Sequence, residues 1–223
     1  MKKLRTKEYY RVFALRTIGN FLVITSLFFI GKTFYQPVRE EIKYFINNRL
    51  HKTYVVVDSK KGLLAKSLNL SSVEFLTPED PEFDIIIPKI GANARILANI
   101  DPGNESAYLD ALKKGVAHAA GTAFPGEGGH IFLFAHSTDY FWNVGTYNAV
   151  FYLLYKLEKG DDVIIFYKNQ RYAYRITEKK VVDPSEVTYL TRKTNHEFLT
   201  LQTCWPPGTT LKRILLFATR IKE

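Results

Sequence analysis

Seven short runs of apolar or alternating residues, each closed off by Gly, Pro, Asn or Asp, constrain this chain more than any other feature of it. They cover residues 54–57, 83–87, 131–135, 162–167, 172–177, 198–203 and 214–219. Pieces of this length and pattern bury one face each and leave their backbone groups unpaired, so they must assemble edge to edge as strands. The runs 162–167 and 172–177, joined through Lys168-Asn169-Gln170, are predicted to form a hairpin. Helical periodicity beyond residue 53 is confined to 106–114 and 148–157. The expected fold class is therefore all-β, a barrel or sandwich with short helices. Leu76-Thr77-Pro78-Glu79-Asp80-Pro81 reads as a linker, which starts the core domain at residue 82.

With 223 residues, 46% of them hydrophobic, the chain holds one well-buried domain plus an anchoring segment and is short for two catalytic domains. The net charge of +9 is unevenly placed: residues 1–53 carry 11 Lys/Arg against 3 Asp/Glu, which leaves +1 on the remainder. A nucleic-acid-binding domain needs a positive field of its own, so nucleic acid is not an expected partner.

Lys2, Lys3, Arg5, Lys7, Arg11 and Arg16 precede an uncharged stretch from Thr17 to Gly31, and Lys32 closes it. As a helix that stretch covers about 22 Å against about 30 Å of hydrocarbon, so a crossing needs Arg16 and Lys32 to snorkel. No Ala-x-Ala-type site follows Ile30, and an uncleaved anchor is expected rather than a cleaved signal peptide. By the positive-inside rule the N-terminus is cytoplasmic and the folded domain is exterior, on a single-pass membrane protein. From Gln36 onward Val38, Ile42, Phe45 and Ile46 share a helical face, read as a stalk that also contains His51. The expected organisation is thus 1–35 basic N-terminus and membrane anchor, 36–81 stalk and linker, and 82–223 the β-domain.

The chain has one cysteine, Cys204, at the end of a strand-like run and just before Trp205-Pro206-Pro207-Gly208. Outside the membrane, paired cysteines oxidise into structural disulfides. Cys204 has no partner in the chain, so its thiol stays available as a nucleophile. A nucleophilic thiol needs a histidine to handle its proton and a donor for the developing oxyanion. His196 lies eight residues back along the same strand, about 26 Å away when extended, and cannot reach it. His136 ends the apolar run 131–135 and so reaches a sheet edge as Cys204 does, whereas His130 opens that run at its far end. His118, in the small-residue segment Val116–Gly121, is the second candidate. Arg213 begins the return strand after the Pro-Pro-Gly turn, where it is either the oxyanion donor or a solvent-facing edge charge. Arg220 is seven residues further on, about 23 Å of extended chain.

Thr200-Leu201-Gln202-Thr203-Cys204, with Arg213 downstream, resembles the Thr-Leu-x-Thr-Cys motif and catalytic arginine of sortases, the membrane-anchored bacterial cysteine transpeptidases. Ile87-Pro88-Lys89-Ile90-Gly91, and Gly121-Thr122-Ala123-Phe124-Pro125-Gly126-Glu127 through His136-Ser137, are similar to the segment that ends in the catalytic histidine. The resemblance covers about residues 83–220. It implies an eight-stranded β-barrel with Cys204 as nucleophile, His136 as general acid/base and Arg213 at the oxyanion. It also implies Thr203 as a substrate-binding residue and His118 as a structural residue or a groove-lining, substrate-binding one. The implied substrates are secreted proteins bearing a sorting signal of the Leu-Pro-x-Thr-Gly type. The acyl group would pass through a thioester to an amine of the cell wall or of another protein. Ala135 stands where the family commonly has glycine. Asp101-Pro102 is followed by Gly103 rather than an aromatic residue, and the sequence ends at Glu223 without a second apolar span, so the pilin-polymerising subclass is not expected.

Two other readings fit the same residues: an exterior cysteine hydrolase that cuts without ligating, and a non-catalytic anchored β-domain in which Cys204 is a buried small hydrophobe. Acidic residues are scattered without ligand spacing, so neither a metal nor a cofactor is expected.

Overall fold

The structure is a computed structural model that describes residues 2–50, 53–57, 73–137 and 150–221. The chain divides into two compact units, Met1–Ile42 and Lys43–Glu223. One continuous helix, α1, runs Lys2–Arg49. Within it Thr6–Lys32, 27 residues of mean hydropathy 1.8, is long and apolar enough to cross a membrane. That span is longer than the charge-free stretch because it takes in Lys7, Glu8, Arg11, Arg16 and Lys32. In the segment read as a stalk, Val38, Ile42, Phe45 and Ile46 are all exposed. Half-buried instead are Tyr44 and Asn47, and Asn47 donates from Nδ2 to the Tyr54 hydroxyl at 2.7 Å.

Strands β1 (Thr53–Val56) and β2 (Val73–Leu76) pair in parallel as a separate two-stranded sheet. Eight further strands follow: β3 (Phe83–Ile87), β4 (Ala92–Ile100), β5 (Val116–Ala119), β6 (His130–Phe134), β7 (Asp162–Tyr167), β8 (Gln170–Val182), β9 (Phe198–Trp205) and β10 (Lys212–Arg220). They close into a barrel in the order β10-β8-β7-β3-β4-β5-β6-β9. Closure leaves no free edge, which is why strands with weak patterns of their own hold in place. β4 and β5 are examples: rich in Ala and Asn, they form because β3 pairs antiparallel with β4 and β6 with β5 while β4 and β5 run parallel.

The predicted hairpin is present, and its turn places Lys168 and Asn169 at φ of 50° and 62°, the left-handed pair that matches strand twist. The helix expected near 106–114 is α2 (Glu105–Leu112), capped by the Asn104 side chain, which accepts from the Ala107 N–H at 3.1 Å. Of the helix expected over 148–157, the described residues form only a 3₁₀ turn at Tyr152–Lys156. The barrel interior is filled by Ile85, Ile131, Leu133, Ile165, Tyr174 and Leu199, all fully buried.

Candidate active site

Strand alternation and register decide which side chains meet. β6 and β9 are parallel neighbours with His130 opposite Phe198, Phe132 opposite Thr200 and Phe134 opposite Gln202. Because successive side chains alternate, Ile131, Leu133, Leu199 and Leu201 enter the barrel, while Phe132, Phe134, Thr200 and Gln202 share the outer face. The alignment continues past the end of β6, where the Ala135 N–H donates to the Gln202 carbonyl at 3.2 Å. The Thr203 hydroxyl returns a bond to the Ala135 carbonyl at 2.8 Å. Continuing the alternation by one residue brings His136 and Cys204 next along the two segments, on the outer side.

β10 supplies the third member. It runs antiparallel to β9 with Arg213 directly opposite Cys204. Directly opposed side chains of an antiparallel pair lie about 5 Å apart at Cβ, within reach of a guanidinium. Two carbonyls of the same hairpin, those of Thr210 and Lys212, each accept a bond from Arg213 Nη1 at 3.1 Å and so fix the side chain against its own turn. Guanidinium has five N–H donors, which leaves others for a ligand. Cys204 is half-buried. Burial pushes its thiol above the ordinary value, and the Arg213 charge opposes that rise without cancelling it. His136 is half-buried at the same rim.

The two residues expected to bind substrate lie on the other side of the sheet. His118 is fully buried beside Leu133 in the β5–β6 ladder. Its Nδ1 accepts from the Asn99 N–H at 3.3 Å, its Nε2 meets the Ala123 carbonyl and the Thr122 hydroxyl, and its ring stacks on Phe124 at 4.5 Å. Burial holds its pKa below the ordinary value, so it is a neutral interior histidine. Thr203 is buried too, with its hydroxyl committed to Ala135. Neither side chain is on the face that carries Cys204, because both occupy inward positions of the alternation.

The other histidines are placed by the same geometry. His130 is at the opposite end of β6, its Nε2 bonded to Thr200 Oγ1 at 2.8 Å, and burial lowers its pKa to about 4. Arg220 is at the far rim, paired with Glu197 at 3.0 Å. His51 lies outside the described residues.

The surroundings of Cys204 are not legible from its neighbours in the sequence. The Trp205 ring packs on Tyr155 at 5.2 Å, a contact across fifty positions whose one local signal is the tryptophan beside the cysteine. On the same outer face, further down β9 and β10, Phe198 stacks on Phe217 at 5.8 Å, and Arg192 from the β8–β9 connection lies over both rings. Tyr189 of that connection also packs on Phe217, so Tyr189 and Arg192 cover the outer face around Phe198 and Phe217.

Comparison with known proteins finds a match over residues 85–221 to the family model described as the sortase domain. The chain belongs to the sortase family. It is 30% identical over 138 residues to sortase D of Bacillus subtilis, covering 60% of this chain and 61% of that sortase, so it spans under two thirds of that relative's length. Among solved structures, sortase C-1 of Actinomyces oris is 30% identical with a TM-score of 0.54, over 65% of this chain and 75% of that one. A Clostridium perfringens sortase D5, described as a transpeptidase, is 25% identical with a TM-score of 0.51, over 73% of this chain and 89% of that one. The barrel expected from the sortase resemblance is the fold observed.

Proposed function

We propose that this sortase is a membrane-anchored cysteine transpeptidase in which Cys204 is the nucleophile, His136 the general acid/base and Arg213 the oxyanion-stabilising group. The observation that carries the reading is the pairing of Arg213 with Cys204 across the β9–β10 ladder. Because burial keeps the thiol protonated near neutral pH, attack requires a base, and His136 is the histidine whose register position is next to Cys204.

In the first half-reaction the Cys204 proton passes to His136 as sulfur bonds to the scissile carbonyl carbon. Negative charge then develops on the carbonyl oxygen, where Arg213 is positioned to donate. Collapse breaks the C–N bond, His136 returns its proton to the departing amine, and a thioester remains. An incoming amine, losing its proton to His136, attacks the same carbon; the C–S bond breaks and the thiolate leaves. The product is a new amide, and with water in place of the amine it is an acid.

The acyl donor in this reading is a secreted protein with a sorting signal of the Leu-Pro-x-Thr-Gly type, and the acceptor is an amine of the cell wall or another protein. Residues 1–35 act as the membrane anchor and 36–81 as stalk and linker. Residues 82–223 form the exterior catalytic domain. The test mixes the full chain in detergent micelles with a sorting-peptide library and an amine, and reads thioester and product by mass. Cys204→Ala should abolish both species; a thioester that persists in that variant overturns the assignment, and acid as the sole product with amine present identifies a hydrolase.

A further inference from the structure

The C-terminal turn of α1 touches a chain of side chains that ends beside the nucleophile. Tyr44 presents its ring to the Lys156 ammonium at 5.3 Å, and Lys156 also lies over Tyr155 at 4.9 Å. An ammonium within about 6 Å of two aromatic faces is attracted to both. Tyr155 in turn packs on Trp205, the residue after Cys204. Tyr44, Tyr155, Lys156 and Trp205 are all half-buried, so water screens these contacts only in part.

Position 205 is where such support acts most directly on the cysteine. On the β10 side the ladder ends at the Trp205–Lys212 pair, and on the β6 side pairing stops at Gln202 with one further bond from Ala135. Past Gln202 the strand keeps its β10 ladder but loses its β6 neighbour, and the Trp205 ring, packed against the main core, is a further anchor on that side. Tyr155 is rigid enough to transmit a position. Its 3₁₀ turn has Leu153 and Leu154 buried, and Lys179 Nζ clamps it by donating to the carbonyls of Tyr155 at 3.0 Å and Leu157 at 2.9 Å. At the other end, the Asn47–Tyr54 bond holds the same helix face one turn beyond Tyr44.

We infer that Tyr44, Lys156 and Tyr155 are positioning residues that couple the end of the N-terminal helix to Cys204 through Trp205. The stalk then takes part in the site, so that engagement of the helix with the barrel tunes the alignment of sulfur with His136 and Arg213. This rests on the proposed role of Cys204, but its structural half is testable without turnover.

The test uses the full chain in detergent micelles with Trp142→Phe, which leaves Trp205 as the single tryptophan. Tyr44→Ala and Lys156→Gln should each raise the acrylamide quenching constant of Trp205 at least twofold. In the peptide assay the same variants should lower kcat about three- to tenfold with KM within twofold, as expected from losing contacts of this type. Tyr44→Phe and Lys156→Arg keep ring and charge and should restore both readouts. A quenching constant unchanged in Tyr44→Ala overturns the coupling even if no turnover is detected. Raised quenching with unchanged kcat overturns the positioning role, and a loss that the conservative variants fail to restore does the same. Failure of the transpeptidase reading is separate: it appears as product formation that survives Cys204→Ala.

Discussion

Cys204 and Arg213 face each other across the β9–β10 ladder, one register pair from the rim at Trp205 and Lys212. The pairing gives the arginine one observed effect on the sulfur, a charge that lowers a thiol pKa that burial has raised, and in the proposed mechanism a second, donation to the oxyanion. Arg213→Ala removes both. The expected outcome is a loss of about 10²–10³ in kcat, the usual scale for one oxyanion donor. The pH profile of Cys204 alkylation should move to higher pH, because only the burial contribution remains. Arg213→Lys should keep part of the profile shift but little of the rate, since it keeps a charge without the planar fork. Alkylation by iodoacetamide between pH 6 and 10 checks the first effect, and single-turnover thioester formation checks the second.

Thr203 affects the same site from inside the barrel. Its hydroxyl bond to the Ala135 carbonyl ties β9 to the backbone that leads into His136. Thr203→Val keeps the shape and leaves a buried carbonyl short of a donor, at a cost of about 1–3 kcal/mol. Because the lost bond lies beside both residues proposed to react, thioester formation should slow beyond what a change in folded fraction explains, while Thr203→Ser keeps both stability and rate. Urea unfolding measured alongside single-turnover kinetics checks this, and full activity in the valine variant would show that the bond has no part in aligning the site.

How far the sequence specifies this arrangement depends on which interactions are local. The hairpin at Lys168-Asn169 and the strands 83–87, 198–203 and 214–219 are legible because period-two burial and turn chemistry are properties of neighbouring residues. β4 and β5 are not legible: Ala92–Ile100 and Val116–Ala119 have little strand character and are stabilised by partners that closure alone supplies. The opposition of Arg213 to Cys204 follows from the hairpin reading, whereas the inward orientation of His118 required knowing that it shares a face with Leu133. The stalk shows the same dependence on distant partners. Its apolar side, Val38 to Ile46, is exposed, and the docked side is marked by Tyr44 and Asn47, whose partners Lys156 and Tyr54 lie elsewhere in the chain.

The junction of α2 with β5 depends on one glycine. A Cβ at Gly115 would stand 2.4 Å from the Arg95 carbonyl oxygen and 2.9 Å from Arg95 Cγ, so backbone and not merely a side-chain tip must yield. Parallel pairing of β4 with β5 begins immediately beyond, at Ile96 with Val116. Gly115→Ala should therefore destabilise the fold by about 1–3 kcal/mol or more, the cost of overpacking. Gly121→Ala is a contrasting control. Among the described residues beyond its chain neighbours, no heavy atom lies within 4 Å of its added Cβ, so its cost comes from backbone strain at φ of +80°. Thermal unfolding of the two variants should separate crowding from strain, with Gly115→Ala the less stable of the pair.

Asp84 gives the fold a pH dependence whose sign can be worked out. It is fully buried on β3, and among the described residues neither carboxylate oxygen makes a hydrogen bond of full geometry. Burial, reinforced by the nearby charges of Glu79 and Asp80 and opposed by the backbone N–H groups of the same two residues, raises its pKa from 3.8 to about 7. Arg95 stands opposite it in the β3–β4 register without forming an ion pair among the described contacts. The neutral acid is thus the form the fold favours, and the unfolded chain is the stronger acid. Its contribution is fully present below the unfolded value of 3.8 and is lost as pH rises through about 7, above which it stays lost. Asp84→Asn keeps the shape and removes the titration. The variant should exceed the parent in stability by roughly 2–4 kcal/mol at pH 8, with the gap closing toward pH 4. Urea midpoints at pH 4.5, 6 and 8 for both proteins measure it; a gap that stays constant across the three values would mean that Asp84 is ionised in the fold, and that a cation or rearranged backbone satisfies it.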